Sequence, residues 1–133
     1  VIRPGGTVGT YVWDVFGGGM PPEPIFRVLR SLAIEHPLPP RSDASRAEDL
    51  LNLWRNAGLH DIEQNVFTVE RRFESFDSFW DITTASASLT RIFAEMKPEI
   101  LQEVRERLRA ELPMADDGSI TYEAHANAIK GVL

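Results

Sequence analysis

The sequence predicts an α/β fold carried on three strands, with the last strand running antiparallel between the first two. Three observations lead there. Runs rich in β-branched and aromatic residues or alternating in polarity lie at Thr7–Trp13, Ile62–Phe73 and Ser119–Val132. The stretches between them carry apolar residues at spacings of three and four, the helical period. Helical material joining the first two strands favours a parallel pair with a right-handed crossover, leaving a slot for a returning last strand.

The elements follow in order. Arg3-Pro4-Gly5-Gly6 is a turn, and Thr7 to Trp13 after it reads as a buried strand in which Gly9 leaves room for a close neighbour and Tyr11 belongs to the core. Val15 to Pro22 is a loop with three glycines, Gly17 to Gly19, followed by Met20 and two prolines, flexible first and stiff last. Glu23 to Glu35 is a helix whose Ile25, Val28, Leu29 and Leu32 share a face, and His36-Pro37-Leu38-Pro39-Pro40 stops it. Ser45 to Ala57 is a second helix: Ser45 and Glu48 have capping-box spacing, and Gly58 stands where a left-handed residue ends a helix.

Ile62 to Phe73 is a long strand with Val66, Phe67 and Val69 as its apolar centre. Phe76, Phe79 and Trp80 lie on a short helix capped by Ser75 or Asp77, and Ser88 to Met96 is another. Pro98 to Leu112 is a helix with Pro98 in its first turn and a stripe of Ile100, Leu101, Val104, Leu108 and Leu112. Asp116-Asp117-Gly118 is a turn, and the last strand alternates Ile120, Tyr122, Ala124, Ala126 and Ala128 against Thr121, Glu123, His125 and Asn127.

The totals narrow the function classes. The 133 residues are 43% hydrophobic, enough for a real core, and suit one domain or part of one. The formal net charge of −6 opposes a nucleic-acid partner and an anionic membrane surface, because the basic residues, including Arg71-Arg72 and Arg105, Arg107 and Arg109, are interleaved with acids. The absence of cysteine removes disulfides, thiol nucleophiles and zinc–thiolate sites and suits a reducing, cytoplasmic setting. No run is long and apolar enough to span a bilayer as a helix. His36, His60 and His125 show no spacing that pairs them, so no metal site is expected. The chain opens without Met on a turn that normally follows earlier strands, so the expectation is that it begins in mid-fold.

Three stretches carry a family resemblance. Ile2-Arg3-Pro4-Gly5-Gly6-Thr7 looks like the turn before strand five of the class I S-adenosylmethionine-dependent methyltransferases. Leu50 to Leu59, ending Ala57-Gly58-Leu59, is similar to the helix end before their strand six, and Asp117-Gly118-Ser119-Ile120 is placed like the start of strand seven. The resemblance covers nearly the whole chain and implies the C-terminal portion of one Rossmann-like domain. In it, residues 1–72 hold strand five, helices and strand six, residues 73–115 form the helical insertion of the small-molecule branch, and residues 116–133 hold the last strand. The family's glycine-rich loop after strand one and its acidic residue after strand two are not in this chain, and Gly17-Gly18-Gly19 is no substitute because no helix follows it directly. The resemblance thus implies that S-adenosylmethionine serves the longer protein and is not bound tightly by these residues alone.

Methyl transfer gains mainly from alignment and exclusion of water, with a base where the acceptor holds its proton firmly. Ligands of open α/β sheets sit at the carboxyl ends of strands. Trp13, Asp14, Phe16 and Met20 at the end of the first strand are therefore candidate pocket residues, with Asp14 orienting a polar group or accepting a proton, and the glycine loop acting as a lid or rim. Phe79 and Trp80 are candidates for covering an apolar substrate. Each also has a plain structural reading as core, cap or connector. A rival reading of the chain is a non-catalytic α+β ligand-binding or dimerisation module. In the half-domain reading the outer edge of the Thr7–Trp13 strand, where strand four of the family would lie, is left unpaired in these residues, and such an edge invites a homodimer.

Overall fold

The computed structural model describes residues 2–133, so Val1, the first residue of the opening turn, lies outside the described residues. The elements run β1 (Thr7–Trp13), α1 (Glu23–Ser31), a 3-10 turn (Ser42–Ser45), α2 (Ala47–Asn56), β2 (His60–Phe73), α3 (Phe76–Thr84), α4 (Ala87–Ala94), α5 (Pro98–Glu111) and β3 (Ile120–Val132). The three strands form one sheet in the order β1-β3-β2. β3 pairs antiparallel with β1 in a register running from Thr7 opposite Val132 to Trp13 opposite Ala126. The last strand thus lies between the first two, as the sequence predicts. The chain is a mixed α/β structure on a three-stranded antiparallel sheet.

The residues gather into two compact units: the chain up to Met20 with Pro39–Val69 and Ala124–Leu133, and Pro21–Leu38 with Glu70–Glu123. In the first, Leu50 and Trp54 of α2 pack on Ile129 of β3, joined by Val8, Val12, Leu51, Leu59 and Ile62. α2 also ties to the sheet through polar groups: the Asn127 amide donates to the Ser45 carbonyl (2.8 Å), and the Gln64 amide donates to the Ala47 carbonyl (2.6 Å). Buried Asn127 thereby satisfies a backbone acceptor at the entry to α2.

The second unit is organised by aromatic rings. Phe79 is fully buried. Its ring meets Phe73 edge-on at 5.3 Å and Tyr122 at 5.7 Å. Trp80 stacks on Phe93 at 5.1 Å. α1 and α5 pack together, with Ile25, Val28 and Leu29 of α1 and Val104 and Leu108 of α5 buried. The Tyr122 hydroxyl donates to the Pro21 carbonyl (2.6 Å), and burial raises its pKa.

Several expectations are corrected, each for a local reason. The first helix stops at Ser31 rather than Glu35, because Ala33 adopts a left-handed φ of 55°. The Ile34 N–H then reaches the Leu29 carbonyl and the Ala33 N–H the Arg30 carbonyl, a Schellman closure without glycine. The same closure ends α2 at Gly58, where it is expected: φ is +82°, and the Leu59 N–H bonds the Trp54 carbonyl. Ser45 does not cap α2; the cap position is Arg46, without a side-chain bond, and the Ser45 hydroxyl instead accepts the Val15 N–H at 3.3 Å. Ser75 does cap α3, accepting the Ser78 N–H at 3.1 Å. Val66, Phe67 and Val69 are about half exposed rather than an apolar centre, and Tyr11 is 69% exposed rather than core. Ile100 lies at the exposed edge of its helix stripe. β-propensity tells which residues extend, while burial depends on what covers each face.

Candidate functional site at the end of β1

β1 ends at Trp13, which sits opposite Ala126 and is 37% exposed. Asp14, the next residue, continues the ladder for one step: its N–H donates to the His125 carbonyl at 3.1 Å. The chain then turns tightly. The Gly17 N–H donates to Asp14 Oδ1 (2.8 Å), the Gly19 N–H donates to the Asp14 carbonyl (2.8 Å), and the His125 N–H donates to the Gly19 carbonyl (3.0 Å). The loop expected to act as a lid is therefore sewn to β3. The glycines are there for space: a Cβ on Gly19 would overlap the His125 carbonyl oxygen, and one on Gly17 would overlap the Asp14 carboxylate.

This stitching brings a carboxylate to an imidazole. Asp14 Oδ2 lies 3.5 Å from His125 Nε2, with both side chains only partly exposed. Asp14 is held from its other oxygen by the Gly17 N–H, so its free edge is directed at the ring. Phe16 is exposed beside them, with the Arg46 guanidinium 3.8 Å from its ring centre, within cation–π range. Met20 is half-buried at the end of the loop. A carboxylate paired with an imidazole can orient a hydrogen-bonding ligand and accept a proton from it.

Trp13, Asp14, Phe16 and Met20 thus belong to one unit and to one strand end. Phe79 and Trp80 are buried in the ring cluster of the other unit, where packing accounts for them. His125 was not singled out by sequence reasoning, which treated it as an isolated histidine. The signal that finds it is the strand register: the β1–β3 pairing, extended one step past Trp13 and Ala126, sets Asp14 against His125. The remaining histidines stand elsewhere. His60 Nδ1 is 3.0 Å from the exposed Asp61 carboxylate, and His36 stacks on Phe26 at 4.3 Å. Among the described residues no group of three or more acidic or histidine side chains could hold a metal ion.

The Asp116-Asp117-Gly118 segment is the expected turn. The Ser119 hydroxyl and N–H hold the Asp117 carboxyl below the usual carboxylate range, helped by Arg72 at 2.8 Å, and Gly118 has φ +81°. A second concavity, of about 630 Å³, opens on the sheet face away from α2. Gly9 and Ala128 line it together with Tyr11, Phe67 and Lys130, and Lys130 pairs with Glu63 at 3.1 Å. Among the described residues no helix is long and apolar enough to cross a membrane.

Fold and site together define a mixed α/β chain with a carboxylate–imidazole pair at the end of an edge strand. No family model matches the chain, and no curated protein matches it. Among solved structures, a protein of Bacillus halodurans C-125 described as a candidate methyltransferase is similar over 98% of this chain and 56% of its own, at 13% sequence identity and a TM-score of 0.39. The chain therefore spans little more than half the length of that structure.

Proposed function

We propose that this chain is the acceptor-side portion of an S-adenosylmethionine-dependent methyltransferase acting on a small molecule. The observation that carries the reading is the sheet order: β3 lies between β1 and β2 and runs antiparallel to β1, the arrangement implied by the resemblance of the Arg3-Pro4-Gly5-Gly6, Ala57-Gly58 and Asp117-Gly118 stretches. The candidate site supports it, because Asp14, Phe16 and Met20 follow β1 at its carboxyl end, where open α/β sheets place ligands. In this reading S-adenosylmethionine supplies an already activated methyl group. Asp14 and His125 orient the acceptor's polar group and take up its proton where it holds one firmly, and Phe16 offers an apolar wall.

The cofactor's glycine-rich cradle belongs, in this reading, to a part of the sheet that these residues do not include. Two measurements test it. Isothermal calorimetry of S-adenosylmethionine against these 133 residues is expected to show no binding in the micromolar range; micromolar affinity would overturn the division of labour. The protein from the complete reading frame is expected to bind the cofactor and transfer its labelled methyl group to a small-molecule acceptor. A reading frame with no strand and glycine-rich loop upstream, and no cofactor binding, refutes the reading.

A further inference from the structure

The loop that follows β1 does more than bring a carboxylate near an imidazole; it fixes how the ring is presented. Both backbone groups of His125 are engaged, its carbonyl by the Asp14 N–H and its N–H by the Gly19 carbonyl. A Cβ on Gly19 would lie 2.8 Å from the ring's Cδ2 and 3.0 Å from its Cγ, so the loop packs against that side of the ring. Asp14 Oδ2 stands 3.5 Å from Nε2, and Oδ1 accepts the Gly17 N–H, which keeps the carboxylate from turning away. The His125 side chain is 33% exposed.

This arrangement selects a tautomer. A carboxylate only accepts, so Nε2 carries the proton of the neutral ring and Nδ1 carries the lone pair. The two nitrogens of an imidazole diverge, so Nδ1 points away from the carboxylate. Hydrogen bonds of this kind are often long until a substrate closes over them, which suits a separation of 3.5 Å.

The surroundings narrow what Nδ1 can serve. Asp14 and His125 lie two positions from Val12 and Asn127, whose side chains face α2, so the pair opens on that side of the sheet. Two residues past Asp14, Phe16 has the Arg46 guanidinium 3.8 Å from its ring centre on one face and is 43% exposed, which leaves its other face open. Arg46 is itself paired with Asp43 at 3.1 Å and Asp49 at 3.7 Å.

We propose that His125 Nδ1 is the proton acceptor of this site, that Asp14 is its positioning residue, and, resting on the methyl-transfer reading, that the molecule receiving the methyl group is a planar aromatic hydroxyl compound. The O–H bond breaks and the proton goes to Nδ1. The electron pair stays on the oxygen and forms its bond to the methyl carbon, while the sulfonium's bonding pair stays with sulfur. The new imidazolium is met by the fixed Asp14 charge. Other acceptors make less use of such a base. A carboxylate or a tertiary amine has no proton to give up, and a carboxylate would also meet the Asp14 charge while Arg46 is already engaged. An aliphatic hydroxyl holds its proton beyond an imidazole's reach, whereas a phenol of tyrosine's kind, with a pKa of about 10, holds it far less firmly. The open face of Phe16 suits a flat ring.

The test begins with the ring itself. Nitrogen-15 NMR of the 133-residue chain is expected to show neutral His125 as the Nε2–H tautomer. Asp14→Asn keeps an oxygen for the Gly17 N–H and turns an NH2 group toward Nε2, so the tautomer is expected to invert to Nδ1–H. A merely structural carboxylate would leave it unchanged. Titration with 4-methylphenol is expected to shift the His125 Nδ1 resonance and the Phe16 ring signals, with a dissociation constant of about 1 mM. 4-Methylanisole, the methyl ether with no proton to give, and benzoate are expected to leave Nδ1 unmoved. If Asp14→Asn fails to fold, the wild-type tautomer and the phenol titration decide. An Nδ1–H tautomer in the wild type, no inversion in folded Asp14→Asn, or the same response, or none, to phenol and ether would overturn the proposal even where the complete protein transfers methyl groups. If these results hold and the complete protein transfers none, the pair and its ligand class stand and the methyl-transfer reading falls.

Discussion

Replacing Gly19 by Ala is the sharpest probe of the loop that builds the candidate site. The added methyl would overlap the His125 carbonyl oxygen and lie 2.8 Å from the ring's Cδ2. The obstacle includes backbone of the central strand, so it cannot swing aside; the loop must move instead. That displaces the two bonds Gly19 makes, to the Asp14 carbonyl and from the His125 N–H, and strains the Asp14 N–H bond next to them. At about 0.5–1.5 kcal/mol net for each hydrogen bond, the loss sums to about 2–3 kcal/mol. Gly17→Ala is the control. Its methyl would meet only the Asp14 carboxylate, the end of a side chain that can rotate away at the cost of the Gly17 N–H bond, about 1 kcal/mol. Urea unfolding followed by tryptophan fluorescence reads both, since Trp54 is in the core of the same unit. With a slope of about 2 kcal/mol per molar, Gly19→Ala is expected to lower the midpoint by about 1–1.5 M and Gly17→Ala by about 0.5 M. Equal shifts for the two variants, or none for Gly19→Ala, would refute the claim that this loop is fixed by close backbone approach.

Two further outcomes follow from the same structure. Asn127→Ala removes the buried amide that donates to the Ser45 carbonyl and is expected to cost about 1–3 kcal/mol in the same unfolding assay, whereas Lys130→Ala, which breaks an exposed pair with Glu63, is expected to cost less than about 1 kcal/mol. Burial against Phe26, and then the Arg30 charge, hold the His36 pKa below its usual value, and its Nδ1 is buried without a partner. The unfolded chain therefore takes up this proton first as pH falls, so stability is expected to decline below about pH 6.5 until the folded pKa is passed. His36→Phe should remove that part of the slope when thermal midpoints are compared from pH 7.5 down to 5; an unchanged pH profile would count against it.

The elements that could be read from the sequence are those whose signal is local. Gly58 ends α2 because a left-handed residue is needed there, and Ser75 caps α3 because its hydroxyl reaches an N–H three residues on. The misreadings mark places where a distant partner decided. Ser45 has the spacing of a cap, yet its hydroxyl is engaged by the Val15 N–H thirty residues away. Ala33 closes α1 in a conformation usually left to glycine, which no propensity foretells.

The chain by itself determined that there are three strands, that helices separate the first two, and that Trp13 and Asp14 stand at a strand end, because periodicity and turn chemistry act over a few residues. Only tertiary structure decided that Asp14 meets His125, that Phe79 and Trp80 are core, and that Tyr11 faces outward. Those facts depend on which strand lies beside which and on what covers each face. Pairing register converts positions 111 residues apart into neighbours, and no local pattern encodes that distance.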